Sequence, residues 1–328
     1  MEVYLGIDVG SVSTKMAAID QDKRVVASTY MMTMGQPVKM VREGMRQLRE
    51  ALPEGTVVRG VGTTGSGRQL AGVLVGADSI KNEITAHAVA ALELVPEVQT
   101  ILEIGGQDSK IILLNDGVVV DFAMNTVCAA GTGSFLDRQA ARLNIPIESF
   151  GQLALESQNP VRIAGRCAVF AESDMIHKQQ MGHSTKDIIR GLCQALVRNF
   201  LNNVAKGKEI RPPVLFQGGV ASNIGMKKAF EEALGFEVIV PEHHRVMGAI
   251  GAALLAAETV AKTGTTKFRG FGVADVEFAT RTFECHDCAN NCEIVEIMME
   301  KTLLARWGSR CGKWDYVENR EDLAAGGA

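Results

Sequence analysis

One plan of strand, turn and strand occurs twice in this chain, and a duplication restricts the available folds more than composition does. A strand over residues 3–9 breaks at Gly10-Ser11 and resumes over 14–19, and a turn at 20–23 leads into a third strand over 24–30. The plan returns about a hundred residues later. Strands over 100–104 and 110–114 flank the tight turn Gly105-Gly106-Gln107-Asp108-Ser109, and Asn115-Asp116-Gly117 turns the chain into 118–122. Each copy carries an acidic residue at the turn and a lysine beyond it: Asp8 with Lys15, Asp108 with Lys110. The repetition predicts an α/β chain of two homologous halves facing each other across a cleft.

The residue types at the turns suit a nucleotide. Glycine lets the backbone approach a phosphate, and consecutive N–H groups make an anion nest. Gly10, Ser11, Ser13, Thr14 and Lys15 in the first copy, and Gly105, Gly106, Ser109 and Lys110 in the second, are the candidate phosphate ligands. Asp8 and Asp108 would hold Mg²⁺, through water because magnesium dehydrates reluctantly, and with Gln107 they are the candidate catalytic residues. A third element follows a short strand over 213–216. Gln217-Gly218-Gly219-Val220-Ala221-Ser222-Asn223 precedes a helix from Ile224, and Gly218, Gly219 and Ser222 suit an adenosine face. A Gly/Ala-rich helix over 246–262 is built for close packing.

Composition narrows the class. The 328 residues are 46% hydrophobic with net charge −4, and mean hydropathy is +0.08. That supports two core-bearing domains and disfavours a nucleic-acid or polybasic membrane surface. The N-terminus lacks signal-peptide character, and no run of about eighteen apolar residues occurs. Seven cysteines in such a chain point to a cytoplasmic protein using them for metal or redox chemistry rather than disulfides. Cys128, in a Gly-rich stretch ending at Gly133, and Cys167, after Ala164-Gly165-Arg166, each open a predicted helix. A thiolate beside unpaired helix N–H groups is stabilised as a metal ligand. Two cysteines are too few for a [4Fe–4S] cluster, but a two-fold homodimer would supply four. The alternative is a pair of buried thiols acting as small hydrophobes.

The segments 5–15, 104–110 and 216–223 resemble the two phosphate motifs and the adenosine motif of the acetate kinase–sugar kinase–Hsp70–actin superfamily. The cysteine stretches and Asn82-Glu83-Ile84-Thr85-Ala86-His87-Ala88 are similar to the BadF/BadG/BcrA/BcrD group within it. This resemblance, over about residues 1–262, implies duplicated actin/Hsp70-like (ribonuclease H-like) halves around a nucleotide cleft. It implies a homodimeric ATPase whose Cys128 and Cys167 from both subunits hold one [4Fe–4S] cluster. Such a protein takes an electron from ferredoxin or flavodoxin. ATP hydrolysis then drives that electron onto the iron–sulfur centre of a 2-hydroxyacyl-CoA dehydratase or double-cubane cluster protein. The expected division is 1–96 for the first half, with the 246–262 helix packing back on it, 97–245 for the second, and 263–328 for an extension.

That extension departs from the group. Cys285, Cys288, Cys292 and Cys311 are spaced to close a Cys₄ site for zinc or iron–sulfur, or to remain metal-free. Two other functions share the fold: a small-molecule kinase with incidental cysteines, and a nucleotide-switched binding module. Cys193 and His87 read as core residues, and His243-His244 as a solvated loop pair.

Overall fold

A computed structural model describes residues 1–125, 129–299 and 302–317. The chain divides into two compact units, Met1–Glu83 with Gly248–Ala328, and Ile84–Met247. In the first, β1 (Glu2–Val9), β2 (Ser13–Ile19), β3 (Val25–Met32), β4 (Val57–Thr64) and β5 (Ser79–Ile80) form a sheet in the order β3-β2-β1-β4-β5. In the second, β6 (Thr100–Ile104), β7 (Ser109–Asn115), β8 (Val118–Asn125), β9 (Val214–Gln217) and β10 (Val238–Ile239) are ordered β10-β9-β6-β7-β8. The two orders are the same topology: three antiparallel strands, then two added parallel to the first. The mixed α/β fold with two sheet-bearing halves follows from the duplicated sequence.

In unit 1 the helices are α1 (Pro37–Ala51), α2 (Arg68–Val75) and nearly all of α9 (Met247–Thr263). Pro37 opens α1, where its missing N–H costs nothing, and Val41, Met45 and Leu48 recur at helical spacing to bury one face. The central strand β1 is buried along most of its length, as a strand covered on both faces must be. Its Gly6 shows why: an added Cβ would sit 1.8 Å from the carbonyl oxygen of Ala249 on α9. The Gly/Ala-rich helix therefore rides directly on the backbone of β1. A third sheet, β11 (Phe278–Glu284), β12 (Glu293–Met299), β13 (Thr302–Trp307) and β14 (Tyr316–Val317), belongs to this unit. Its Ile297, Leu304 and Ala305 join the core of Val3, Leu5 and Val61, so the extension shares a core with the first half. Arg42 Nε ties α1 to the Ala274 carbonyl at 3.0 Å, just before this sheet.

Unit 2 carries α3 (Glu83–Leu94), α4 (Gly133–Arg142), α5 (Ile147–Leu155), α6 (Ala168–Gln180), α7 (Thr185–Asn203) and α8 (Ile224–Leu234). Phe200, Phe216 and Phe230 meet edge-on at its centre, with centroids 5.5 and 5.1 Å apart. The division falls at 83/84 where the sequence placed it at 96/97. The reason lies in α3, whose buried His87 bonds Gln217 at the end of β9 at 2.9 Å. Among the described residues no helix is long and apolar enough to cross a membrane.

Candidate functional site

The first phosphate turn joins β1 to β2. Asp8 stands opposite Lys15 in the strand register, and Lys15 Nζ donates to Asp8 Oδ2 at 3.0 Å. The turn closes with the Gly10 N–H donating to the Ser13 carbonyl at 3.0 Å. Gly65, at φ +87°, lies so close that a Cβ there would be 2.5 Å from Asp8 Oδ1. Thr14 is buried, and its hydroxyl meets that of Thr33 at 3.0 Å, which in turn donates to the Gly10 carbonyl at 2.8 Å. Thr14 thus braces the turn from within, and Ser13 is buried too, while Ser11 is exposed and Gly10 half-buried.

The second turn repeats this backbone, with the Gly105 N–H donating to the Asp108 carbonyl at 3.0 Å. The register corrects the pairing read from the sequence. Lys110 lies opposite Glu103 as Lys15 lies opposite Asp8, so the counterpart of Asp8 is Glu103, and Asp108 takes the place of Ser13. Lys110 Nζ is 2.9 Å from both Glu103 Oε2 and Asp108 Oδ2, and its side chain is 2% exposed against 33% for Asp108. This lysine is enclosed between two carboxylates. Lys15 is 19% exposed over an Asp8 side chain at 6%. Gln107 is exposed, Gly105 and Gly106 are half-buried, and the Ser109 hydroxyl is buried with no partner among the described residues.

At the end of β9, Gly218 adopts φ +93° because it abuts β6: a Cβ would lie 2.4 Å from the Ile104 carbonyl oxygen. Asn223 caps α8 by accepting from the Met226 N–H. The sequence predicts a solvated His243-His244 pair, and the structure corrects this for His244. The His244 carbonyl accepts from the Gly218 N–H at 2.8 Å, and its Nδ1–H donates to the Gly218 carbonyl at 2.9 Å. Burial holds the His244 pKa below its ordinary value, favouring the neutral ring. Arg245 Nε reaches the exposed Ser222 hydroxyl at 2.9 Å. His244 and Arg245 thereby hold both ends of the Gly218–Ser222 turn, beside a half-buried Gly219. A pair of histidines after a short strand carries no spacing that would have revealed this.

Cys167 is the N-cap residue of α6, half-buried, with no side-chain capping bond. The approach to it is fixed: Arg198 Nη2 holds the Ile163 carbonyl at 2.7 Å, and Asp174 accepts from the Ala164 N–H at 2.8 Å. A thiol presented at a helix N-terminus on a fixed loop has the chemistry of a thiolate ligand, and Cys167 fits a metal–sulfur group. Cys128 lies outside the described residues. Cys193 is wholly buried in α7 and its thiol is pushed up to about 12, as a core residue requires.

The four C-terminal cysteines come from two neighbouring loops. The Cys285 N–H donates to the Cys292 carbonyl at 2.8 Å, and Cys285 Sγ contacts Asp287, which pairs with Lys313 at 2.5 Å. Cys288 and Cys311 are exposed. Among the described residues no group of three or more His, Cys, Asp or Glu side chains is placed to hold a metal ion, so these four are not assembled as a ligand set. The two tryptophans are structural: Trp307 packs on the unit 1 core, and Trp314 meets Phe283 edge-on at 5.1 Å.

The profile of the BadF/BadG/BcrA/BcrD ATPase family matches residues 5–256. The chain is 35% identical over 268 residues to the (R)-2-hydroxyglutaryl-CoA dehydratase activating ATPase of Acidaminococcus fermentans, covering 80% of this chain and 100% of that one. It is 35% identical over 267 residues to the activator of lactoyl-CoA dehydratase of Anaerotignum propionicum, covering 79% and 98%. Among solved structures, the activator of the 2-hydroxyisocaproyl-CoA dehydratase from Clostridium difficile with bound ADPNP superposes with a TM-score of 0.72 at 30% identity. That match covers 80% of this chain and 97% of the other.

Proposed function

Because the chain belongs to the BadF/BadG/BcrA/BcrD ATPase family, we propose that it is an ATP-driven one-electron donor to a partner enzyme. It acts as a homodimer, takes electrons from ferredoxin or flavodoxin, and reduces the iron–sulfur centre of a dehydratase or double-cubane type protein. The observation that carries this reading is Cys167: a half-buried thiol on a fixed loop opening α6, in the unit that also holds a phosphate turn. Cys128 and Cys167 of two copies would hold a [4Fe–4S] cluster, which supplies a carrier of single electrons.

The chain's own residues do the rest. Asp8 and Asp108 are the carboxylates that would serve Mg²⁺, which would supply charge neutralisation to the phosphates, and Ser11 and Gln107 stand exposed at their respective turns. Phosphoryl transfer to water needs little beyond such positioning and charge neutralisation. Gly218, Gly219 and Ser222 receive the adenosine on a turn that His244 and Arg245 hold in shape. Hydrolysis alters electron transfer only if ATP favours one arrangement of the cysteine loops over another.

The test is colour with stoichiometry. Protein purified without oxygen is expected to be brown, to bleach in air, and to carry about four irons and four sulfides per dimer. Cys167→Ser is expected to remove that iron and weaken the dimer, because ligation contributes to the interface. A colourless anoxic protein that hydrolyses ATP would overturn the electron-donor reading and leave a kinase or a nucleotide switch.

A further inference from the structure

A chain of hydrogen bonds, with one close packing contact at Asn199, runs through unit 2 from the second phosphate turn to the loop before Cys167. The Gly105 and Gly106 carbonyls accept from the N–H groups of Gly133 at 2.8 Å and Ser134 at 2.9 Å. The Ser134 hydroxyl adds a second bond to the Gly106 carbonyl at 2.5 Å. The head of α4 is therefore tied to the back of the turn that faces a phosphate. Glycine at 133 keeps this approach free of crowding, since a Cβ there would lie 3.0 Å from the Gly105 carbonyl oxygen, a tight contact.

Thr132, the N-cap of α4, donates to the Ala129 carbonyl through its N–H at 3.0 Å and its hydroxyl at 2.8 Å. The short helical turn Ala129–Gly131, one residue beyond Cys128, is thus bound to the head of α4. Against it stands Asn199 of α7, buried, with Oδ1 2.6 Å from where a Cβ on Gly131 would lie. The same side chain reaches the other cysteine loop. Asn199 Nδ2 donates to the Gly165 carbonyl at 2.6 Å, and the Arg166 carbonyl is at 3.4 Å. Those are the two residues before Cys167. Asn199 is packed between the 129–131 turn and the loop before Cys167, and Ser134 joins the first of them to the phosphate turn.

We propose that Ser134 and Asn199 are positioning residues that couple the nucleotide to the cysteine loops. A phosphate that draws on the N–H groups of Gly106 and Gln107 shifts the Gly105 and Gly106 carbonyls on the far side of the same peptides. Gly133 and Ser134 follow those carbonyls, and the turn 129–131 then repacks against Asn199 and the carbonyls it holds. Ligand binding at one end biases the arrangement at the other, because each link is a direct hydrogen bond or close contact. The proposal rests on the reading of 105–110 as a phosphate site.

The test uses the full chain and the thiol itself. Protein made cluster-free by purification in air, then reduced, is alkylated with iodoacetamide, and the label on Cys167 is quantified by peptide mass spectrometry. Saturating Mg-ADP is compared with a saturating non-hydrolysable Mg-ATP analogue, so a change in affinity does not enter. The alkylation rates are expected to differ by about fivefold between the two nucleotides, the lower end of ordinary coupling. Ser134→Ala and Asn199→Ala are each expected to bring that ratio below about twofold, and Ser134→Thr, which keeps the hydroxyl, to preserve it. Equal rates in the unaltered protein, with calorimetry showing that both nucleotides bind, would overturn the coupling. A full ratio in both alanine variants would do so as well. Absence of calorimetric binding would instead overturn the functional reading on which the coupling stands.

Discussion

The two phosphate turns share one backbone and spend their charges differently. In the first, a single lysine and a single aspartate face each other, and the lysine keeps some access to solvent. In the second, Glu103 occupies the aspartate's register position and Asp108 is added at the turn, so two carboxylates enclose one buried ammonium. The pair at the first turn is locally neutral and the trio at the second carries net negative charge. A duplication can thus preserve geometry while the halves diverge in chemistry. The first turn leaves its cation partly open to solvent, whereas the second encloses its cation between two carboxylates.

The largest effect expected from this difference is on stability. Lys110→Met leaves Glu103 buried without its counter-charge, and breaking a buried pair in this way costs about 3–5 kcal/mol. Lys15→Met should cost less than half of that, because water reaches the Lys15 position. Denaturant unfolding of both variants checks the contrast. Equal losses would mean that the two lysines do the same structural work.

The second effect is on chemistry. Asp8→Asn and Asp108→Asn are each expected to lower ATP turnover at least tenfold, about 1.4 kcal/mol in barrier, with the fold retained. The measurement is steady-state hydrolysis at saturating Mg-ATP. Loss in the Asp8 variant alone would confine the metal to the first turn, and normal turnover in both would remove magnesium from both carboxylates.

Much of this was legible in the sequence and some of it was not. The strands, the glycine turns and the third motif follow from alternation and turn chemistry, which are local. The close packing of α9 on β1 was written in its Gly and Ala residues, because only small residues admit a neighbouring backbone. Glu103 was missed although it precedes Lys110 by seven residues, as Asp8 precedes Lys15. An aspartate inside a glycine turn resembles the chemical copy more than a glutamate inside a strand does, and only the ladder register decides between them. His244 and Asn199 were out of reach for a related reason. Their partners lie 26 and 34 residues away in sequence, and no local pattern marks such a contact. The cysteine spacing of the extension suggested one Cys₄ site, but spacing does not determine where loops place their thiols.

A third effect concerns the hydroxyls under the turns. Thr14 has a partner in Thr33, which also holds the Gly10 carbonyl. Thr14→Val keeps the shape and removes that bond, leaving Thr33 its link to Gly10. A loss of about 1 kcal/mol is expected, the net worth of one hydrogen bond. The denaturation midpoint reports it, and an unchanged midpoint would mean that the brace is not needed.

The smallest effect discriminates most finely, because it falls on the matched position in the other unit. Ser109 aligns with Thr14 by register and is equally buried, yet its hydroxyl has no partner among the described residues. A buried hydroxyl without a partner carries its desolvation cost with no compensating bond. Ser109→Ala removes that cost, at the expense of a space about the size of one oxygen atom. The variant is therefore expected to be neutral or more stable by up to about 1 kcal/mol, opposite in sign to Thr14→Val. Measured without nucleotide, the two variants give a signed difference between the turns that errors common to both measurements do not erase. If Ser109→Ala destabilises as much as Thr14→Val, the second turn is braced from within like the first. In that case the divergence between the turns is confined to their charges.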